Sequence, residues 1–120
     1  MKVLLVDDAA FVRMSLKKVL EESDYEFTYV EAATGEEGIN LFKVEKPDLT
    51  IMDITMPGMN GIEAVEKIIE IDPNAKIIMC SSMGYQEKVV DAITAGAVDF
   101  IVKPYTKEKI LLAVEKVMKL

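Results

Sequence analysis

Leu49-Thr50-Ile51-Met52-Asp53-Ile54-Thr55-Met56-Pro57-Gly58-Met59-Asn60-Gly61 joins a short apolar run, an acid and a glycine-punctuated loop. The run Leu49–Met52, apolar except for Thr50, has the length and composition of a strand buried on both faces. It stops at Asp53, and Pro57 to Gly61 then reads as a loop. Beyond it Ile62, Val65, Ile68 and Ile69 recur at helical spacing. The same unit repeats on either side. Strands are predicted at Val3–Val6, Phe27–Val30, Ile77–Cys80 and Phe100–Val102. Helical faces are predicted at Phe11, Met14, Leu16, Val19 and Leu20; at Gly38, Ile39, Leu41 and Phe42; at Val89, Val90 and Ile93; and at Ile110, Leu111, Val114, Val117 and Met118. Thr34-Gly35-Glu36-Glu37 opens the second helix with acids in its first turn, and Gly96 supplies a glycine stop for the fourth. Five strands alternating with five helices predict an α/β fold: a doubly wound (βα)5 parallel sheet with helices on both faces.

Composition narrows the chemistry. The chain has 120 residues, enough for one domain over 1–120 with a proper core, and the apolar fraction of 51% supplies the material. The last helix runs almost to Leu120, so no attached output domain is expected. There is no histidine, which removes Ser-His-Asp and Cys-His catalysis and the histidine-containing zinc sites. Any metal is left to oxygen ligands, which favours a hard cation such as Mg²⁺ or Ca²⁺. The single cysteine, Cys80, lies inside an apolar run and reads as a small buried hydrophobe. One thiol cannot close an internal disulfide. A formal charge of −7 argues against non-specific binding to nucleic acid or anionic lipid. No segment approaches the roughly 18 consecutive apolar residues of a membrane span, and the start reaches two acids too soon for a signal peptide. A cytoplasmic location is expected.

In open α/β sheets ligands bind beyond the carboxyl ends of the strands, where strand order reverses. The first strand ends in Asp7-Asp8, the third in Asp53, the fourth in Ser81-Ser82 and the fifth in Lys103-Pro104. In the order 2-1-3-4-5, borrowed from known sheets of this class, these four strands are neighbours. Singly, each residue reads more readily as a cap, a turn residue or a solvated charge. Together they place three carboxylates, a hydroxyl and an ammonium at one edge. Clustered acids repel unless a cation joins them, and Mg²⁺ held by few carboxylates beside a lysine suits phosphoryl transfer. A carboxylate can serve as the nucleophile, giving an acyl phosphate.

These stretches carry a resemblance. Val6-Asp7-Asp8, the run Met52–Gly61, Ala95-Gly96-Ala97 and Phe100-Ile101-Val102-Lys103-Pro104-Tyr105 together resemble the response-regulator receivers of two-component signalling, and among them the CheY chemotaxis proteins. The segments at Asp7–Met14 and Met52–Gly61 are most similar to those of thermophilic, Gram-positive and archaeal members. The resemblance spans the chain and implies a flavodoxin-like fold with the order 2-1-3-4-5. It implies that Asp53 is the phosphoacceptor. It also implies that Asp7, Asp8, Asp53 and the backbone carbonyl of Thr55 hold Mg²⁺. Ser81 and Lys103 would bind the phosphoryl oxygens, with Phe100 as the switch aromatic and a cis bond before Pro104. The implied partners are a CheA-type histidine kinase as donor, a flagellar switch protein or archaellum adaptor, and a CheC/CheX-type phosphatase. No nucleic acid or membrane partner is expected, and the chain is expected to be monomeric, a phosphorylated switch turning over no separate substrate. An apolar Met83, two residues after Ser81, predicts slow loss of the phosphoryl group.

Three alternatives compete. A haloacid dehalogenase-type phosphohydrolase would carry a second Asp two residues after the nucleophile, where Thr55 stands. A flavodoxin-like nucleotide binder would need glycines or hydroxyls after the first strand, where Asp7-Asp8-Ala9-Ala10 offers none. A stand-alone receiver of a non-chemotaxis phosphorelay would share the fold and the chemistry, and the sequence separates it poorly.

Overall fold

The computed structural model describes all residues except Thr55, Pro57, 83–86 and Leu120, and leaves aside the side chains of Ser82 and Glu87. Among the described residues, five strands alternate with five helices. They are β1 (Lys2–Val6), α1 (Ala10–Leu20), β2 (Thr28–Ala32), α2 (Gly35–Glu45), β3 (Leu49–Asp53), α3 (Gly61–Ile71), β4 (Ile77–Ser82), α4 (Glu87–Ala95), β5 (Asp99–Lys103) and α5 (Lys107–Met118). The strands pair in parallel in the order β2-β1-β3-β4-β5. The flavodoxin-like (βα)5 architecture is therefore as expected. Strand limits move slightly: β2 begins one residue later than its apolar run and continues to Ala32, and β5 takes in Asp99 and Lys103.

Alternation along the strands divides the core in two, because successive side chains leave opposite faces. Val3 and Leu5 join Ile51, Ile78 and Cys80 beneath α1 and α5. Leu4 and Val6 join Met52, Ile77 and Met79 beneath the other helices, meeting Phe42, Val65, Ile68 and Ala92. Both faces are covered, which is why β1 and β3 read as largely apolar runs.

Two helical faces differ from expectation. In α1, Leu16 and Leu20 are buried, with Val12 and Val19 packed beside them, whereas Phe11 and Met14 face outward. At 3.6 residues per turn, positions 12, 16, 19 and 20 share a stripe and positions 11 and 14 lie opposite. Among the described residues of α4 the buried one is Ala92, while Val90 and Ile93 are exposed. A small side chain lets the helix approach the sheet but weighs little in a hydrophobic pattern.

Helix ends are set locally. Thr34, Asn60 and Thr106 cap α2, α3 and α5 by accepting the amides of Glu37, Glu63 and Lys109. Gly96 stops α4 at φ +124°, a conformation other residues avoid. The amide of Ala97 bonds the carbonyl of Ala92, and that of Gly96 the carbonyl of Ile93, closing the helix with two satisfied carbonyls. No helix of the described residues is long and apolar enough to cross a membrane.

Candidate functional site

The carboxyl ends of β1, β3, β4 and β5 meet at one edge of the sheet. Asp53 closes β3 and stands opposite Cys80 of β4, which in turn faces Ile101 of β5. Asp7 follows β1, and its amide donates to the carbonyl of Ala32, extending the β1–β2 ladder by one bond. Carboxylate oxygens of Asp7, Asp8 and Asp53 all lie within 4.8 Å of one another. Asp7 and Asp53 are buried and Asp8 is exposed.

Lys103 reaches into this cluster from the end of β5. Its Nζ lies 3.3 Å from Asp7 Oδ2 and 3.5 Å from Asp53 Oδ1. Burial works against the ammonium's charge, but Asp53 and Asp7 outweigh it and hold Lys103 above the usual lysine range. One ammonium against three carboxylates leaves the site negative. Hard oxygen donors with uncompensated charge are what a small divalent cation requires. The donor set therefore fits such an ion, and it does not fit a soft metal.

The remaining predicted residues fall around this centre. Ser81 is fully buried near the end of β4, next to Cys80 and in register with Val102. Phe100 is half-buried on β5, packed against the α2–α3–α4 side of the core. The Lys103–Pro104 peptide is cis. Thr55 and Met83 lie outside the described residues. Cys80 is buried against the site, and burial pushes its thiol up to about 12. Tyr105 packs on the α1–α5 side of the core, and burial raises its phenol above the ordinary value. Together with Pro104, Lys103, Val12 and Ser15 it lines a cavity of about 310 Å³ whose rim carries exposed Phe11.

Two neighbours stand in the stretches singled out in the sequence without a role of their own. The Arg13 guanidinium donates through Nη1 to the backbone carbonyl of Asp7 and through Nε to Glu31 of β2 at 3.0 Å. Lys17, one turn further along α1, meets the same Glu31 at 2.5 Å. In the sequence Arg13 is marked only by its place in the Asp7–Met14 segment, as the fourth residue of the helix that follows the acids. Gly61 is the second. It begins α3, and its amide donates to the carbonyl of Ile54 at 2.8 Å, so the helix starts in contact with the end of β3.

Comparisons with known proteins agree with this geometry. The family described as response regulator receiver domain matches residues 3–115. The chemotaxis protein CheY of Thermotoga maritima is 53% identical over 118 residues, covering 98% of each chain. That of Bacillus subtilis is 49% identical over 117 residues, 98% of this chain and 97% of the relative. Among solved structures, a CheX–CheY–BeF3–Mg²⁺ complex from Borrelia burgdorferi superposes with a TM-score of 0.90 at 37% identity, covering 98% of this chain and 88% of that one. The strand order, the acidic cluster beyond the strand ends and these similarities lead to one placement: the chain belongs to the response regulator receiver domain family and is CheY-like within it.

Proposed function

We propose that this chain is a chemotaxis receiver, one domain over residues 1–120, that takes a phosphoryl group onto Asp53 from a CheA-type histidine kinase. The observation that carries the reading is the meeting of three carboxylates within 4.8 Å with Lys103 against two of them. Asp7, Asp8 and Asp53 are the side chains that would hold Mg²⁺, with the backbone carbonyl of Thr55 as a further ligand. When bound, Mg²⁺ supplies charge neutralisation of the carboxylates and of the transferring phosphoryl oxygens.

A carboxylate oxygen of Asp53 is the nucleophile. As its bond to phosphorus forms, the bond from phosphorus to the donor imidazole breaks, leaving an acyl phosphate. Burial of Asp53 limits the water that could compete for the phosphoryl group. The Lys103 ammonium, already between Asp7 and Asp53, pairs with a phosphoryl oxygen, and the Ser81 hydroxyl donates to another. The new charge draws Ser81 and Lys103 inward, and Phe100 follows into the space released. This biases the surface formed by α4, β5 and α5, where Val90, Ile93 and Leu112 are exposed. That surface would bind the flagellar switch protein or an archaellum adaptor. A CheC/CheX-type phosphatase is proposed to reset the switch, by analogy with the Borrelia CheX–CheY complex. The protein acts in the cytoplasm as a monomer and turns over no separate substrate.

Intact-mass analysis after mixing with acetyl phosphate, with and without Mg²⁺, tests the reading. The expected result is a gain of one phosphoryl mass that needs Mg²⁺ and is absent in Asp53→Asn. No gain under any condition would leave a receiver-shaped binding module instead.

A further inference from the structure

Asp7 is held at each of its polar atoms. Its amide donates to Ala32, its Oδ1 accepts the amide of Ala9 at 2.9 Å, and its Oδ2 lies 3.3 Å from Lys103. The fourth group, the backbone carbonyl, accepts from Arg13. A carbonyl there has left the β1 ladder, and the cap position of α1, Ala9, has no side-chain oxygen with which to organise the turn. Arg13 does this from inside the helix. Its own orientation is fixed by Glu31, so the edge strand β2, which gives no side chain to the carboxylate cluster, braces the cluster from behind.

We infer that Arg13, clamped by Glu31, is a positioning residue that holds the backbone of Asp7 so that the Asp7 and Asp8 carboxylates converge on the cation. The inference rests on the metal-site reading above. A guanidinium is suited to the task because its planar fork serves two acceptors at fixed angles, which an ammonium cannot do. Its hydrogen bonds run to the Asp7 carbonyl and to Glu31, which Lys17 shares, and not to the carboxylates of the cluster. Arg13 therefore orients the loop without filling the cation's place, as outer partners of metal ligands commonly do.

Charge and position predict opposite signs. If Arg13 acted only through its positive charge, its removal would reduce repulsion and tighten cation binding. If it positions Asp7, removal loosens binding. Mn²⁺ titration followed by the electron paramagnetic resonance of the free ion, with Mg²⁺ in competition, separates the two. Arg13→Gln should weaken both cations on the order of tenfold, the low end for loss of an outer partner. Arg13→Lys should weaken them nearly as much, since it keeps the charge but loses the fork. Glu31→Gln, which leaves Arg13 in place and guards against misfolding of the first variant, should weaken binding by a smaller factor and add nothing in the double variant. Circular dichroism confirms the fold of each, and the amide resonance of Ala9, bonded to Asp7 Oδ1, should shift in Arg13→Gln without metal. Unchanged or tighter binding in Arg13→Gln, or full rescue by lysine, overturns the inference while the metal site stands. Failure of the wild-type chain to bind either cation overturns the metal-site reading and the inference with it.

Discussion

Gly61→Ala is the substitution whose cost can be worked most directly from the structure. A methyl carbon on Gly61 would lie 2.3 Å from the carbonyl oxygen of Asp53, 2.8 Å from Ile54 Cα and 2.9 Å from the Met79 methyl. Even a close carbon–oxygen contact needs about 3.3 Å, so backbone must move by about 1 Å. Overpacking of this kind costs roughly 1–3 kcal/mol. The 2.8 Å bond from the Gly61 amide to Ile54 is strained by the same movement, adding about 1 kcal/mol. Alanine regains up to about 1 kcal/mol of backbone entropy. The balance is a destabilisation of about 2 kcal/mol, which lowers a urea midpoint by about 1 M if the unfolding slope is near 2 kcal/mol per M. Gly35→Ala is the internal control. It also begins a helix, but its methyl would meet Met59 and Ala64 at 3.2–3.4 Å and needs only slight adjustment. Urea unfolding of the three proteins, read by far-ultraviolet circular dichroism, should rank Gly61→Ala well below the other two. Equal midpoints for both glycine variants would refute the reasoning, because α3 could not then begin in contact with Asp53.

Other expectations follow from single observations. Thr50 is fully buried in β3, and its hydroxyl has no hydrogen-bond partner among the described residues. Thr50→Val keeps the shape and removes the unsatisfied group, so stability should rise by about 1 kcal/mol; a loss in denaturant melts would mean the hydroxyl is bonded. Cys80, buried with its thiol pushed up to about 12, should resist a disulfide reagent at pH 8 in the native state and react at once in urea. Fast native labelling would contradict the packing of β4. If the acidic cluster binds Mg²⁺, millimolar Mg²⁺ should raise the thermal midpoint by linkage, and Asp7→Asn should abolish most of the rise. An equal rise in Asp7→Asn would place the ion elsewhere.

Much of this is legible in the amino-acid sequence alone. Strands such as Val3–Val6 and Leu49–Met52 must satisfy a packing environment on both faces, and that demand writes itself into the chain as short, mostly apolar runs. Where a run buried on both faces stops at a polar residue, that residue is placed at or near the end of its strand. Asp7, Asp53, Ser81 and Lys103 were placed in this way, and the alternation of strands and helices brought them to the same edge. The acid count and the missing histidine restricted the metal chemistry without reference to any fold.

Other features depend on rotation and distance, which one-dimensional patterning does not carry. Phe11 and Met14 look like core residues of α1, yet the packed stripe runs through Leu16 and Leu20, because the helix turns to lay that side on β1 and β3. The reach of Lys103 to both Asp7 and Asp53 follows from the β4–β5 register and the turn after β5. Arg13 meets the Asp7 carbonyl only because α1 folds back over the end of β1 and Glu31 arrives on a strand paired in parallel. The chain alone determined which groups stand at the strand ends, since burial is a property of each run. Only the tertiary structure decided how they are held, since hydrogen bonds between distant residues depend on register and on helix rotation about its axis.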